Sequence, residues 1–427
     1  MKTVLITAYA VNPYKGSEDG TGWNISRELA KDHKVYVVTR KNNRPEIEFF
    51  FEENEFEGKE NMTFLYYDLP YIMRFWKKKL GERGYVLYFY LWQLFLPFFI
   101  LRNKVKFDLA HALNFHSDSH PHFLWILGKP VFWGPIGHHP PVPYRFIRPT
   151  YALKNLIKDR LYNTVKFCMR NFDPFFYIAK WTSRKIFVIN SQVNLSVRAN
   201  PEKIVVLPAV ANEVRGNERT AVTKSDFTVL AVGRFVYMKG FDITIRAFAK
   251  YYHSQAGSVQ KQLKLKLVGK GEELENLQNL IREEGIEAVT EVIQWVEKSE
   301  MSNIYQGASL FVFGSHEGAG MVIPEALSYG LPIVCFDNCG PGELCSVENA
   351  IKVPYQSYEK SIDNFSQAIS ELFENKEKYD EMSKNACDYA QQHFSWNTKR
   401  VTIQEAYASF SKKEEESLKE SITLKSH

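Results

Sequence analysis

Two glutamates frame a glycine-rich segment, Glu317 to Pro332, that reads E-G-A-G-M-V-I-P-E-A-L-S-Y-G-L-P. The apolar run before it predicts a strand, and Pro324 suits the first turn of a following helix that starts near Met321. Backbone N–H groups at the start of a helix attract anions, and Glu317 and Glu325 can each bind paired hydroxyl groups, as on a ribose or a hexose. A surface loop with a helix-capping acid is the alternative. We favour a ligand-binding loop because the glycines, the proline and both acids coincide.

Two cations follow another predicted strand, in the segment V-G-R-F-V-Y-M-K-G-F-D from Val232 to Asp242. Arg234 closes that strand, and Lys239 lies directly before a predicted helix. Fixed cations at the carboxyl end of a parallel strand suit a diphosphate, which accepts several charge-assisted hydrogen bonds. The alternative interpretation is a charge pair that faces solvent. This alternative is less favoured once the glutamate segment is considered together with the two cations.

Strands and helices alternate along the chain, which predicts α/β domains with parallel sheets. The first half opens with the strand T-V-L-I-T-A-Y-A, a turn-rich loop and a helix from about Trp23 to Lys31. The second half repeats the pattern, with strands predicted at Phe227–Arg234, Leu263–Gly269, Leu310–Phe313 and Ile333–Phe336. A length of 427 residues fits two such domains, and the polar stretch 211–225 reads as their linker.

The first half also contains a basic, aromatic region. Between Tyr71 and Lys185 there are 19 lysines and arginines but only 5 aspartates and glutamates, although the whole chain has a net charge of +5. The apolar run Tyr85–Leu101 contains Pro97 and is shorter than the roughly 20 residues of a membrane span. Basic residues among aromatic ones suit an anionic membrane surface, and packing in the core is the alternative. No nucleic-acid motif accompanies the charge.

The cysteines and the amino terminus bear on the cellular compartment. The five cysteines include no C-x-x-C pair, which argues against a metal site or disulfides. Met1–Ala10 reads as a strand rather than as a signal peptide. We therefore expect a cytoplasmic protein, with a peripheral position on the inner face of the membrane as an option.

From about Phe227 to Trp396 the sequence resembles the retaining, GT-B-fold glycosyltransferases of family 4. The resemblance rests on the two segments above and on L-V-G-K-G-E-E-L-E-N-L, Q-W-V-E-K-S-E-M, D-N-C-G-P-G-E-L and F-S-W. It implies an α/β, GT-B architecture, in which two Rossmann-like domains face each other across a cleft. The implied parts are an acceptor-side domain at 1–210 completed by a helix at about 396–411, a donor-binding domain at 211–395, and a flexible tail at 412–427.

The resemblance also implies roles around a nucleotide-diphosphate sugar, with a UDP-sugar as the commonest donor. Arg234 and Lys239 would hold the diphosphate. Glu317 would contact the transferred sugar, and Glu325 would bind the ribose. The remaining donor contacts would be the base near Trp295 and Val296, and the sugar and phosphates near the backbone amides of Gly318, Ala319, Gly320, Met321 and Val322. Such enzymes require no metal or other cofactor, and the sequence contains no D-x-D motif.

The first half matches the family more loosely. G-S-E-D-G-T-G-W-N is similar to the glycine-rich first loop that lies over the donor phosphates, which nominates Gly20 and Gly22. His111 and His116 follow a predicted strand where family members often carry a functional histidine, and a structural role is equally open for either. His138, in F-W-G-P-I-G-H-H, replaces a glycine run of similar sequences, and it either touches the acceptor or fills the loop.

These features lead us to expect a metal-independent, retaining transferase that moves a hexose-type sugar onto a glycan or lipid-linked saccharide in surface polysaccharide assembly. Retention of the anomeric configuration leaves no obvious need for a general base, because the acceptor hydroxyl can pass its proton to a phosphate oxygen. A nucleotide-sugar epimerase or hydrolase on the same fold is the first alternative. A catalytically inactive, membrane-associated scaffold that binds sugar nucleotides is the second.

Overall fold

The computed structural model describes residues 1–79, 81–113, 117–147, 153–209, 211 and 227–409. These residues form two compact units, which we call unit 1 and unit 2. Unit 1 lies within Met1–His138, Thr164–Val210 and Trp396–His427, and unit 2 lies within His139–Asn163 and Ala211–Ser395. The predicted first domain, 1–210, included the segment 139–163, whereas the structure groups that segment with unit 2 because Phe146 packs in the core of unit 2. The predicted tail, 412–427, lies outside the described residues.

Unit 1 is built on a parallel sheet in the order β3-β2-β1-β4-β5-β6-β7. Its strands are β1 (Thr3–Thr7), β2 (Lys34–Thr39), β3 (Met62–Tyr66), β4 (Leu109–Ala112), β5 (Val131–Ile136), β6 (Ser183–Val188) and β7 (Ile204–Val206). The helices along this part of the chain are α1 (Ser17–Ala30), α2 (Arg44–Glu53), α3 (Tyr71–Lys79), α4 (Gly81–Arg102), α5 (Leu153–Phe172), α6 (Pro174–Thr182) and α7 (Gln192–Val197). Along β1, Leu5 packs in one core and Val4 and Ile6 pack in another, so apolar layers cover both faces of the sheet.

Unit 2 repeats this design in the order β10-β9-β8-β11-β12-β13, again with parallel strands. Its strands are β8 (Phe227–Val232), β9 (Leu263–Val268), β10 (Thr290–Ile293), β11 (Leu310–Phe313), β12 (Ile333–Phe336) and β13 (Ala350–Val353). Its further helices are α8 (Phe241–Ser254), α9 (Gly257–Gln260), α10 (Leu274–Glu283), α11 (Lys298–Gln306), α12 (Val322–Ser328), α13 (Tyr358–Glu374) and α14 (Lys376–His393). The strands and helices predicted in this half are confirmed, with bounds that differ by a few residues.

A last helix, α15 (396–409), packs on unit 1. Ile403 and Tyr407 are buried in the core that also contains Phe132, and the centroids of the Tyr407 and Phe132 rings are 4.5 Å apart. The buried Nζ of Lys399 donates a hydrogen bond to the carbonyl oxygen of Pro208. The carboxyl-terminal part of the described chain is thereby joined to the first sheet.

Both sheets follow the Rossmann strand order, which reverses direction beside β1 in unit 1 and beside β8 in unit 2. In open α/β sheets, ligands bind outside the carboxyl ends of the strands at this switch point. The loops after β1 and β4, and those after β8 and β11, are therefore the places where each unit can form a site.

Helix α4 stands apart from the other described helices in its composition. Its part Gly84–Arg102 is long and apolar enough to cross a membrane by those two criteria, and 44% of that stretch is buried within the protein. A core helix of a soluble protein meets the same criteria, so length and composition leave its role open.

Candidate active site

The switch point of unit 2 brings two loops into direct contact. Gly240 ends the turn after β8 with φ +62°, and a side chain there would overlap the carbonyl oxygen of Gly314, which follows β11. The N–H of His316 donates to the carbonyl of Met238 at 2.9 Å. Only glycine at position 240 allows this approach, because it supplies both the left-handed conformation and the space. The contact places the cation-bearing turn beside the glycine-rich loop.

An ion pair joins these two loops. The Nζ of Lys239 lies 2.6 Å from Oε2 of Glu317, and the two side chains are 12% and 13% exposed. The sequence analysis predicted both residues in the site but did not predict that they bind each other. Arg234 is exposed at the end of β8, and its side chain makes no ion pair with any other described residue. The turn after β8 thus carries two cations: Lys239, which is paired with Glu317, and Arg234, which is exposed.

Glu325 lies in the first turn of α12 and is held by a buried tyrosine. The hydroxyl of Tyr305, on α11, donates to Oε2 of Glu325 at 2.8 Å. Burial raises the pKa of Tyr305 well above its usual value, and the neighbouring Glu325 charge acts in the same direction. The Tyr329 ring stacks on Tyr305 with centroids 5.2 Å apart. Tyr305 was not predicted in the site, because an aromatic residue on an apolar helix face is typical of a core position.

The glycine-rich loop leads directly into α12, which begins at Val322, one residue after the predicted start. Gly318 and Gly320 are buried, whereas Ala319, Met321 and Val322 are partly exposed. The backbone N–H groups of Ala319 and Gly320 donate to no acceptor among the described residues. Such amides, beside an ion pair, can bind an anionic or hydroxylated ligand.

Trp295 and Val296 follow β10 at the same carboxyl edge of the sheet. The Trp295 side chain is 62% exposed, while Val296 packs partly against the core. An exposed indole ring is suited to stacking on an aromatic base, and Val296 anchors the loop that carries it.

Gly20 and Gly22 do not lie in a loop, so that part of the prediction is wrong. Both are buried within α1, which begins at Ser17, several residues before the predicted start at Trp23. A side chain at Gly22 would overlap the carbonyl oxygen of Ala10. The glycine therefore allows α1 to pack closely on the chain after β1, which is a packing role.

His111 is fully buried at the end of β4. Its Nδ1 lies 2.7 Å from the hydroxyl of Tyr407, and its Nε2 lies 2.8 Å from the carbonyl oxygen of Gly134. Burial lowers the pKa of His111 to about 4, so the ring is neutral near pH 7. With both nitrogens bonded inside the core, the structure favours the structural role that the sequence left open. The other candidate on this strand, His116, lies outside the described residues.

His138 takes part in a charged cluster at the carboxyl edge of unit 1. Its Nδ1 lies 2.7 Å from Oδ2 of Asp118, which also accepts hydrogen bonds from the guanidinium of Arg170 and, at 2.9 Å, from the hydroxyl of Ser196. The Asp118 side chain is 1% exposed and that of His138 is 20% exposed. Burial alone would raise the pKa of Asp118, but the hydrogen bond from His138 and the charge of Arg170 lower it well below its usual value.

The sequence analysis named His138 and counted Arg170 in the basic region, but it missed Asp118 and Ser196. A run of four polar residues after β4, from Ser117 to His120, is the signal that could have pointed to Asp118, because polar residues after a buried parallel strand lie at the ligand edge. No comparable signal marks Ser196.

Comparisons with known proteins agree with this geometry. Residues 216–388 match the family model described as Glycosyl transferases group 1. An uncharacterized glycosyltransferase of Haemophilus influenzae is 34% identical over 160 residues, which cover 36% of this chain and 42% of that protein. The amylovoran biosynthesis glycosyltransferase AmsD of Erwinia amylovora is 32% identical over 163 residues, which cover 38% of this chain and 44% of that one. The matched part thus spans less than half the length of either relative.

Likeness of structure extends over almost the whole chain. The crystal structure of Anabaena Alr3699/HepE in complex with UDP is similar with a TM-score of 0.60, and the match covers 96% of this chain and 100% of that one at 15% identity. At that identity the likeness defines the fold alone. The predicted fold class is confirmed: the chain folds into two Rossmann-like α/β units that match GT-B structures.

Proposed function

We propose that the protein is a retaining glycosyltransferase that moves a hexose-type sugar from a nucleotide-diphosphate donor, a UDP-sugar, to a glycan or lipid-linked saccharide acceptor. The observation that carries the proposal is the Lys239–Glu317 ion pair at the switch point of unit 2, with the exposed Arg234 in the same turn. The neighbour HepE was crystallised with UDP, and the relative AmsD is named for amylovoran biosynthesis, which supports a nucleotide sugar as donor and a polysaccharide pathway.

The cations would act on the leaving nucleoside diphosphate. Negative charge grows on the diphosphate as the bond to the sugar breaks, and fixed cations stabilise that charge without reorganisation. Arg234 would bind the diphosphate with its exposed guanidinium, while Lys239 would lie between it and Glu317. This arrangement supports a reaction without a metal ion, so we expect transfer to continue in the presence of a strong chelator.

The remaining contacts would fix the nucleotide and the sugar. Glu325, held by Tyr305, would accept hydrogen bonds from the ribose hydroxyls, and Trp295 would stack on the base. The open amides of Ala319 and Gly320 would bind the sugar or the phosphates. Retention follows if the acceptor hydroxyl attacks on the face that the diphosphate leaves and passes its proton to a phosphate oxygen, which one-dimensional NMR of the product anomer can test.

Thermal stability in the presence of nucleotide sugars tests the donor site. A ligand that binds only the folded state raises the melting temperature. We expect one member of a series of UDP-, GDP-, ADP- and dTDP-sugars to stabilise the protein without added metal. Glu325→Ala should remove that response, whereas Glu283→Ala, an exposed glutamate on α10, should keep it.

The same screen separates the alternatives. If no nucleotide sugar changes the melting temperature at any salt concentration, the transferase proposal fails and a scaffold role gains support. Consumption of the donor at full rate without any acceptor would instead favour an epimerase or a hydrolase.

We also propose that unit 1 binds an anionic membrane surface from the cytoplasmic side. Exposed apolar side chains on α3 and α4 include Ile72, at 65%, and Leu101, at 56%. Leu101 borders a cavity of about 500 Å³ whose lining also includes Lys104, Lys106 and Lys129. Apolar side chains beside lysines suit lipid tails and phosphate headgroups.

Flotation with vesicles tests this surface. We expect binding to vesicles that contain phosphatidylglycerol at low salt, and weaker binding to pure phosphatidylcholine vesicles. Leu101→Glu should weaken the binding about tenfold, since a carboxylate opposes both the apolar and the anionic contact. Val347→Glu, at a position 79% exposed in unit 2, is the control. Absence of binding at low salt would contradict the proposal.

A further inference from the structure

The cluster around Asp118 is assembled from the ends of three neighbouring strands of unit 1. Asp118 comes from the loop after β4, His138 follows β5, and Ser196 lies on α7 after β6. These strands are parallel neighbours, so their carboxyl ends lie at one edge of the sheet. Arg170, on α5, completes the cluster. The four side chains meet beside the β1–β4 switch point, where an open α/β sheet binds ligands.

The contacts of Asp118 determine which nitrogen of His138 carries a proton. Asp118 has a depressed pKa and is ionised, so it can only accept hydrogen bonds. The Nδ1 of His138, at 2.7 Å, must therefore donate. In the neutral imidazole this leaves the lone pair on Nε2, which is an acceptor.

The Nε2 atom of His138 makes no hydrogen bond with any described residue. The ring is 20% exposed, while the carboxylate that orients it is 1% exposed. The backbone is held as well, since the amide of Asn190 donates to the carbonyl of His138 at 3.0 Å. A partly exposed imidazole that is held by a buried carboxylate has the arrangement of a binding group.

We infer that Asp118, Arg170 and Ser196 hold His138 as the hydroxyl-accepting group of a saccharide subsite on unit 1. His138 would touch the ligand through Nε2, and the other three would act as positioning residues. A saccharide hydroxyl suits Nε2, because it donates one hydrogen bond without bringing charge to a cluster that is already balanced. Calling this saccharide the acceptor substrate depends on the proposed function, whereas the subsite itself does not.

Histidine NMR tests the subsite directly. Protein labelled at its histidines is titrated with glucose, galactose, mannose and N-acetylglucosamine up to molar concentration, and His138 is assigned with the His138→Asn variant. Asparagine can still donate to Asp118 near the Nδ1 position but has no group at Nε2. We expect at least one saccharide to shift the His138 resonances, which should report the Nδ1–H tautomer. The His253→Asn variant, at an exposed histidine of unit 2, should show the same titration.

The positioning residues are tested by the strength of that response. Asp118→Asn should weaken saccharide binding at least tenfold, since the carboxylate no longer fixes the tautomer. Ser196→Ala, which removes one donor and leaves all charges in place, should weaken it about threefold and remains available if Asp118→Asn does not fold. The inference is overturned if no saccharide shifts His138, or if both variants bind as the native protein does.

A separate readout distinguishes this inference from the proposed function. His138→Asn should keep the stabilisation by a nucleotide sugar, which unit 2 would bind. Saccharide binding without any response to nucleotides would contradict the proposed function and leave the subsite supported. Stabilisation by a nucleotide sugar without any saccharide effect at His138 would support the proposed function and contradict the subsite.

Discussion

The two units share a strand order but carry their charges differently. At the edge of unit 2, Lys239 and Glu317 pair while both remain 12–13% exposed, and Arg234 is exposed. At the edge of unit 1, the Asp118 carboxylate is 1% exposed and accepts from three donors. Charges near solvent can exchange their partner for a ligand at little cost, whereas a buried carboxylate depends on its partners for folding.

The comparison teaches that the same topology can serve two purposes. Unit 2 would offer its charges directly to a ligand, whereas unit 1 buries a charge that orients the partly exposed ring of His138. Substitutions at the unit 2 edge should therefore change activity more than stability. Substitutions around Asp118 should change stability as well as binding.

The largest expected effect is on folding of unit 1. Arg170→Met removes a charged partner and leaves the buried Asp118 carboxylate less compensated, which should cost about 3–5 kcal/mol in the free energy of unfolding. Urea unfolding followed by circular dichroism measures it. Arg282→Met, at an exposed arginine of α10, is the control. A loss below about 1 kcal/mol would show that the cluster of unit 1 is no more fixed than the pair of unit 2.

The corresponding change in unit 2 should affect catalysis instead. Lys239→Met should lower kcat about 10²- to 10³-fold, since it removes one fixed charge that stabilises the leaving group. Release of nucleoside diphosphate from the donor identified by thermal shift measures it. The free energy of unfolding should change by less than about 1 kcal/mol, because the pair is partly exposed. A large loss of stability with unchanged kcat would contradict the expectation that this edge of unit 2 affects activity more than stability.

Gly240→Ala tests the close approach of the two loops in unit 2. The new methyl group would overlap the carbonyl oxygen of Gly314 in a left-handed backbone, which should cost about 2–3 kcal/mol and weaken donor binding. Thermal unfolding with and without donor measures both effects. Gly257→Ala is the matched control, since nothing lies within 4 Å of its new methyl group. If the two variants have the same thermal stability and the same donor binding, the loops can separate without loss of either.

Lys399 should make the free energy of unfolding of unit 1 depend on pH. Burial lowers its pKa from 10.5 to about 7 in the folded protein. Between these values the unfolded chain binds a proton that the folded protein does not, so stability rises with pH. The slope approaches 1.4 kcal/mol per pH unit, or about 2 kcal/mol from pH 8 to 9.5. Lys399→Met should flatten this rise in urea unfolding, whereas Lys376→Met, on the exposed surface of unit 2, should leave it unchanged.

The smallest expected effect concerns the support of Glu325. Tyr305→Phe removes the hydroxyl that donates to this carboxylate while it keeps the stacked ring. We expect a loss of about 1 kcal/mol in stability and a five- to tenfold weaker donor affinity, measured by calorimetry. Tyr14→Phe, at an exposed position of unit 1, is the control. Unchanged affinity would mean that Glu325 needs no fixed orientation.

The sequence by itself determined much of unit 2. Apolar runs and glycine turns located its strands, and the start of α12 was placed within one residue, because these features depend on neighbours along the chain. Arg234, Lys239, Glu317 and Glu325 were also identified, since each follows or begins an element whose direction the pattern shows.

The tertiary structure decided what depends on distant contacts. The partners Lys239 and Glu317 are 78 positions apart, and Asp118 and Ser196 also 78, so no local pattern could join them. Both His111 and His138 follow predicted strands, but His111 is bonded through both ring nitrogens in the core, whereas the His138 side chain is 20% exposed. Gly22 was predicted in a loop because glycine indicates turns, whereas the close approach of α1 to the chain after β1 required it. Parallel sheets bring loops together across long stretches of chain, and only the folded strand order shows which loops meet.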